Sequence, residues 1–260
     1  SNSFQPAAAA VNLFLKPVPD PTGKQNEYGF SLNLFDGKLV ARFNQYENTS
    51  INSRNGDANT IGGRANQIDF NSGNIASTPF ALAVQAQGWT RRAHPTWTAA
   101  QVFAEVLRIT KLDAAYFDPA DLSFNGNLAQ TGDILSKGQE VQLYFTPSRF
   151  WTTSLNVTRQ ETINGQMFDD INNYLAQRMP VWLGIIDPET GLRWWDSALG
   201  YDASRRNAMT FYRASVLAPL QLAQAMRGKS RPQVRQYNWR LSTNYKLAGL
   251  TEQRILKNFQ

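Results

Sequence analysis

Three pairs of alternating stretches, joined by connections of very unequal length, constrain this chain more than any other feature. In "EYGFSLNLFDGKLVARFNQYE", Tyr28, Phe30, Leu32 and Leu34 alternate with Gly29, Ser31 and Asn33. Successive side chains of a strand point to opposite faces, so such a stretch has one apolar and one polar side. Asp36-Gly37 follows, a strong hairpin signal because both residues tolerate the positive φ of a tight turn. The return strand sets Leu39, Ala41 and Phe43 against Arg42 and Asn44. In "GQEVQLYFTPSRFWTTSLNVTRQE", Val141, Leu143 and Phe145 oppose Glu140, Gln142 and Tyr144. There "TPSR" is expected to turn the chain, with Pro147 presetting φ and Ser148 closing the turn. Trp151, Thr153, Leu155 and Val157 then oppose Thr152, Ser154, Asn156 and Thr158. The third pair starts at "QYNWRLSTNYKL", which sets Tyr237, Trp239, Leu241, Thr243, Tyr245 and Leu247 against Asn238, Arg240, Ser242, Asn244 and Lys246. It is expected to turn within "AGLTEQR" and return through "ILKNFQ".

The hairpins so placed occupy residues 27–48, 138–162 and 235–260, and the links inside them are short. Between them lie 49–137 and 163–234, roughly 90 and 70 residues, far beyond the ~12–15 at which structureless loops become uncommon in compact domains. These connections contain helical spacing. "TWTAAQVFAEVLRITKL" offers Thr98 as an N-cap before Val102, Phe103, Val106 and Leu107. "DDINNYLAQRM" predicts a short helix stopped by Pro180, and "SRRNAMTFYRASVLAPLQLAQAMRGKS" one that is interrupted near Pro219 and ended by Gly228.

Strands with one apolar face suit either a soluble sandwich or a membrane barrel. Three features favour the barrel. The second faces are consistently polar, as a water-filled lumen requires. Tyr28, Phe35, Phe43, Phe145, Phe150, Trp151, Tyr237 and Tyr245 recur near strand ends, where amphipathic rings suit the two membrane interfaces. Strands of roughly 9–11 residues match a tilted crossing of the bilayer. Short turns at one end and long loops at the other are also the pattern of a bacterial outer-membrane barrel. The expected fold class is therefore mainly β, a segment of a large antiparallel transmembrane β-barrel with long extracellular loops containing short helices. Six strands cannot close such a barrel, because single-chain examples start at eight and an open edge in lipid leaves backbone groups unpaired.

Other function classes find little material. The chain has no cysteine, which removes disulfides, thiol nucleophiles and Cys-ligated zinc. Its single histidine, His94, precedes a proline and reads as a loop residue. Charged residues make up only 18% and net charge is +6, with Lys and Arg scattered; the doublets Arg91-Arg92 and Arg205-Arg206 are expected in loops. A nucleic-acid binder would gather that charge into a stripe, so no nucleic-acid partner is expected. No run approaches the ~18 apolar residues of a transmembrane helix, and the N-terminal stretch lacks the charged-then-apolar form of a signal peptide.

The stretches "PVPDPTGKQNEYGFSLNLFDGKLVARFNQYENTSINSR", "GQEVQLYFTPSRFWTTSLNVTRQE" and "SVLAPLQLAQAMRGKSRPQVRQYNWRLSTNYKL" resemble consecutive parts of the barrel of large TonB-dependent outer-membrane receptors, in the long-loop style of Verrucomicrobia-type bacteria. That resemblance implies a ~22-stranded barrel plugged by an N-terminal domain. It implies import of a scarce small molecule or glycan, such as a siderophore, cobalamin or an oligosaccharide, driven by TonB through the plug. Residues 1–260 would then be a partial barrel domain in contact with outer-membrane lipid, without the plug, and no enzyme. Neither a cofactor nor a metal is expected. The best local ligand-binding candidate is "GLRWWDS": Trp194 and Trp195 can stack on a ring while Arg193 and Asp196 hydrogen-bond its rim. The competing reading has these aromatics pinning a large loop. A different class, a soluble secreted carbohydrate-binding or carbohydrate-cleaving β protein, would draw two facing carboxylates from Asp169, Asp170, Asp187, Glu189 and Asp196. "DPETG" among these reads as turn chemistry.

Overall fold

The computed structural model describes residues 2–4, 8–71, 78–197, 204, 206–230 and 234–247. Its strands form a single open antiparallel sheet, with each strand paired to its neighbours in sequence. These are β1 (Asn2–Phe4), β2 (Thr22–Leu34), β3 (Leu39–Arg54), β4 (Thr131–Ser148), β5 (Trp151–Met167) and β6 (Tyr237–Tyr245). Leu34 pairs with Leu39, Leu39 with Phe145, and Trp151 with both Ser148 and Tyr245, so the short turns share one end of the sheet. The connections 55–130 and 168–236 leave from the other end. The return strand expected in "ILKNFQ" lies outside the described residues.

Local chemistry explains the turns and corrects one of them. Lys38 N–H donates to the Phe35 carbonyl at 3.1 Å, and Asp36 and Gly37 have φ of 52° and 85°, the geometry of a type I′ turn on the expected dipeptide. The second turn sits two residues later than "TPSR" suggests. Pro147 still belongs to β4, at a register shift between Phe145 and Ser148, and the chain reverses at Arg149-Phe150. A bulge is where a residue without an N–H can remain in a strand. The strands also exceed expectation: β3, β4 and β5 have 16, 18 and 17 residues.

The long connections fold into a helical unit. Its α-helices are α1 (Gly56–Asn66), α2 (Leu82–Ala93), α3 (Ala99–Thr110), α4 (Asp169–Gly184), α5 (Ala208–Phe211) and α6 (Ala218–Ala225). Thr98 caps α3 through a capping box with Gln101, as its sequence predicts. Asn55 caps α1 by accepting from Ala58 N–H at 2.9 Å. Arg91-Arg92 closes the last turn of α2 instead of lying in a loop, next to the partial negative charge of the helix C-terminus. Pro180 does not stop α4, which runs on to Gly184. A helical proline frees the carbonyl four residues back, and Ala176 is exposed, so water can take that bond. Pro219 begins α6 directly after a π-helical turn over Tyr212–Leu217, the expected interruption. The carbonyl it frees belongs to Ser215 and faces an Arg64 guanidinium nitrogen at 3.4 Å.

Among the described residues, the buried apolar core lies almost entirely in this unit. Leu13, Ile61, Phe70, Phe80, Trp89, Val106, Ile171, Trp182 and Val216 form one cluster, to which the strands contribute only Met167 at the far end of β5.

Candidate functional site

The register of β2 to β6 lines the alternating residues into rows that cross the sheet on one face. Phe30, Phe43, Val141, Val157 and Trp239 are successive partners, and so are Leu32, Ala41, Leu143, Leu155 and Leu241. A third row nearer the turns holds Leu34, Leu39, Phe145, Thr153 and Thr243. Among the described residues no second sheet covers these rows, since every described strand belongs to the same sheet. Phe30 is 59% exposed and Trp239 71%. Soluble monomers seldom leave so continuous an apolar surface in water.

Near the turns, polar side chains of this face pair across strands. Thr153 and Thr243, cross-strand partners, share a hydrogen bond of 2.9 Å, and the Trp151 indole N–H donates to Thr243 Oγ1 at 2.9 Å. Toward the loop end the band stops at one row, Tyr28, Gln45, Gln139, Arg159 and Tyr237, where the Arg159 guanidinium lies 5.9 Å from the Tyr237 ring centre. Beyond it the same face carries Lys137 and Glu161 at 3.7 Å, with Arg159 reaching back to Glu161 at 3.8 Å. About nine residues at ~3.3 Å each, tilted ~45°, give an apolar height of ~20 Å, close to that of a lipid-facing band. The extra length of β3, β4 and β5 carries this charged row of Glu47, Lys137 and Glu161 and then Thr49, Leu135 and Ile163.

The opposite face is mostly polar, although Val40 and Tyr144 share one of its rows with Asn33, Ser154 and Ser242. Ser31, Arg42, Gln142, Asn156 and Arg240 form one row, and Gly29, Asn44, Glu140, Thr158 and Asn238 the next. Glu27 accepts from Asn44 Nδ2 and, at 3.1 Å, from Gln25. Gly138 is required here: a Cβ would stand 2.6 Å from the Tyr46 hydroxyl oxygen, because the Tyr46 side chain lies across its cross-strand partner.

The candidate ligand residues fall elsewhere, in the helical unit, and the structure divides them. Trp194 is 0% exposed, and its indole N–H donates to the Phe80 carbonyl at 3.0 Å. Trp195 is buried and stacks on Trp182, with ring centres 5.5 Å apart and planes 8° from parallel. Neither ring can receive a ligand face in this arrangement. The pair holds the loop to the core, because two large apolar rings gain more from burial there than from water. Only Arg193 and Asp196 reach the surface, joined to each other, and that hydrogen bonding holds the Asp196 carboxyl below its usual range.

Asp69 organises the same region and carried no signal in the sequence. It is fully buried and accepts from Tyr174 Oη at 2.6 Å, Arg178 Nε at 2.8 Å, Arg178 Nη2 at 2.6 Å and Trp182 Nε1 at 2.9 Å. Arg178 also donates to the Thr110 carbonyl at 2.9 Å, which ties the ends of α1 and α3 to α4. Burial opposes the Arg178 charge, yet attraction to Asp69 outweighs it and raises the pKa; burial and the same carboxylate push Tyr174 well above the ordinary phenol value. Paired and hydrogen-bonded throughout, this cluster acts as a structural clasp.

Most of the carboxylates considered for glycoside chemistry are taken up by partners of their own. Asp187 closes the "DPETG" turn, accepting from Glu189 N–H at 2.9 Å and Thr190 Oγ1 at 2.7 Å, with Gly191 at φ 69°. Glu189 pairs with Arg92 at 2.6 Å, Asp170 accepts from Asn12 at 2.8 Å, and Asp169 sits exposed in the first turn of α4. His94 follows α2 and stacks on Trp97 at 3.8 Å. Among the described residues no group of three or more His, Asp or Glu side chains is placed to hold a metal ion, and no helix is long and apolar enough to cross a membrane, which says nothing of strands. The chain matches no protein-family model, no curated protein and no solved structure.

Proposed function

We propose that this chain forms a stretch of outer-membrane barrel wall together with its extracellular loop domain, in a receptor of the TonB-dependent type that imports a scarce small molecule or glycan. The observation that carries the reading is the set of exposed apolar rows from β2 to β6, backed by polar rows on the other face. Outer-membrane lipid meets the apolar rows, and a wet lumen meets Arg42, Gln142, Asn156 and Arg240. The helical unit stands outside the membrane on the long-loop side, above the ion-paired rows of β4 and β5. In a receptor of this type, energy coupling to TonB runs through a plug domain.

The absence of cysteine makes the test clean, because each introduced cysteine is unique. Spin labels placed singly at residues 237–245 in bilayer-reconstituted protein are expected to alternate with a period of two. Leu241→Cys should be accessible to oxygen dissolved in lipid, and Ser242→Cys to a water-soluble nickel chelate. Uniform water accessibility along the strand, or a monodisperse protein in detergent-free buffer with the apolar rows covered, would sink the proposal.

A further inference from the structure

The helical unit contains a groove that neither the barrel reading nor the Asp69 clasp uses. One face of α1 supplies Asp57, Thr60, Ile61 and Arg64, and one face of α6 supplies Pro219, Leu222, Ala223 and Met226. Both sets follow the i, i+3, i+4, i+7 spacing by which helices normally pack together, yet they stand apart around a cavity of about 700 Å³. Met167 at the end of β5 adds to the lining, with Lys229 just past α6. Leu222 is left 68% exposed. That volume lies within the ~300–1,000 Å³ of small-molecule sites, and unbranched methionines adapt to an apolar guest.

Charge complementarity identifies the guest. Among the described residues, Arg64 and Lys229 line the groove against a single carboxylate, Asp57, and neither cation has an ion-pair partner. Arg64 is steadied at this position by the Ser215 carbonyl that Pro219 leaves free. An apolar cavity whose walls hold two unpaired cations fits a molecule with an apolar body and one acidic group. We infer that the α1–α6 groove binds a small amphipathic anion, its apolar part against Ile61, Leu222 and Met226 and its acid group toward Arg64 and Lys229. The inference concerns the helical unit alone and holds whether or not the sheet lies in lipid.

The four methionines of the chain provide the test. Met167 and Met226 line the groove, whereas Met179 and Met209 pack against the core away from it. In the full chain, labelled with 13C at the methionine methyls and held in amphipol, octanoate should move the Met167 and Met226 signals saturably and leave Met179 and Met209 in place. Octanol, the same tail without the charge, should require at least tenfold more for half-saturation. Arg64→Gln with Lys229→Gln should raise the octanoate midpoint tenfold or more without altering that of octanol, while unchanged Met179 and Met209 signals verify the fold. Asp57→Asn, which removes the one opposing charge, should lower the octanoate midpoint severalfold. Equal movement of all four methyls, octanol binding as tightly as octanoate, or charge variants that leave the octanoate midpoint unmoved would each overturn the assignment.

Discussion

Leu82 and Leu241 are the same side chain in opposite circumstances. Leu82, at the start of α2, is 0% exposed, whereas Leu241, in the middle of β6, is 58% exposed. The contrast extends to the regions they belong to. The helical unit hides its aromatics around a paired Asp69–Arg178 and caps α1, α3 and α5 with side chains. The sheet carries comparable apolar residues yet turns them outward in registered rows, with Trp151, Thr153 and Thr243 hydrogen-bonded to one another on that face. One region is built for water outside and oil inside. The other leaves the apolar residues of one face exposed.

The strongest way to break this comparison is to attack the clasp. Asp69→Ala removes the partner of a buried arginine and leaves Tyr174 and Trp182 without their acceptor, a loss of about 3–5 kcal/mol by analogy with other buried pairs. Near-UV circular dichroism, which reports the packed Trp182, Trp194 and Trp195, should show a sharply lower melting midpoint. The far-UV strand signal should persist to its original temperature. Simultaneous loss of both would mean that the two regions are one cooperative unit.

Next in size is the pair Leu241→Lys and Ser242→Lys, adjacent residues on opposite faces of β6. In bilayer-reconstituted protein a lysine on a lipid face costs about 2–4 kcal/mol near the midplane, while one on a watered face costs little. Urea titration in lipid should separate the two variants by that amount, and equal midpoints would contradict the lipid-facing reading. The smallest effect belongs to Thr98→Ala, which deletes the capping box of α3 at a cost of about 1 kcal/mol. It should lower the helical-unit midpoint by a few degrees and leave the strand signal unmoved.

How much of this was legible in advance depends on the range of the interactions involved. The alternation of Tyr28 to Leu34, the Asp36-Gly37 turn and the Thr98 cap are encoded within a few residues, and the structure reproduces them. "TPSR" misled because proline marks a bulge as readily as a turn, and only the pairing of Ser148 with Trp151 decides between them. Pro180 misled because an exposed Ala176 carbonyl removes much of the penalty that normally ends a helix. In "GLRWWDS" an exposed and a buried tryptophan pair look identical; the choice fell to Phe80 and Trp182, distant in the chain.

The sequence by itself determined the period of each strand, the sites of several turns and caps, and the separation of short links from long ones, because each rests on local backbone geometry. Only the tertiary structure decided that the apolar residues of β2 to β6 share unbroken rows and that Asp69 gathers three helices. It alone set α1 and α6 around an open groove. Those outcomes depend on which remote surfaces meet, and burial energy is settled by that meeting, not by any residue's neighbours along the chain.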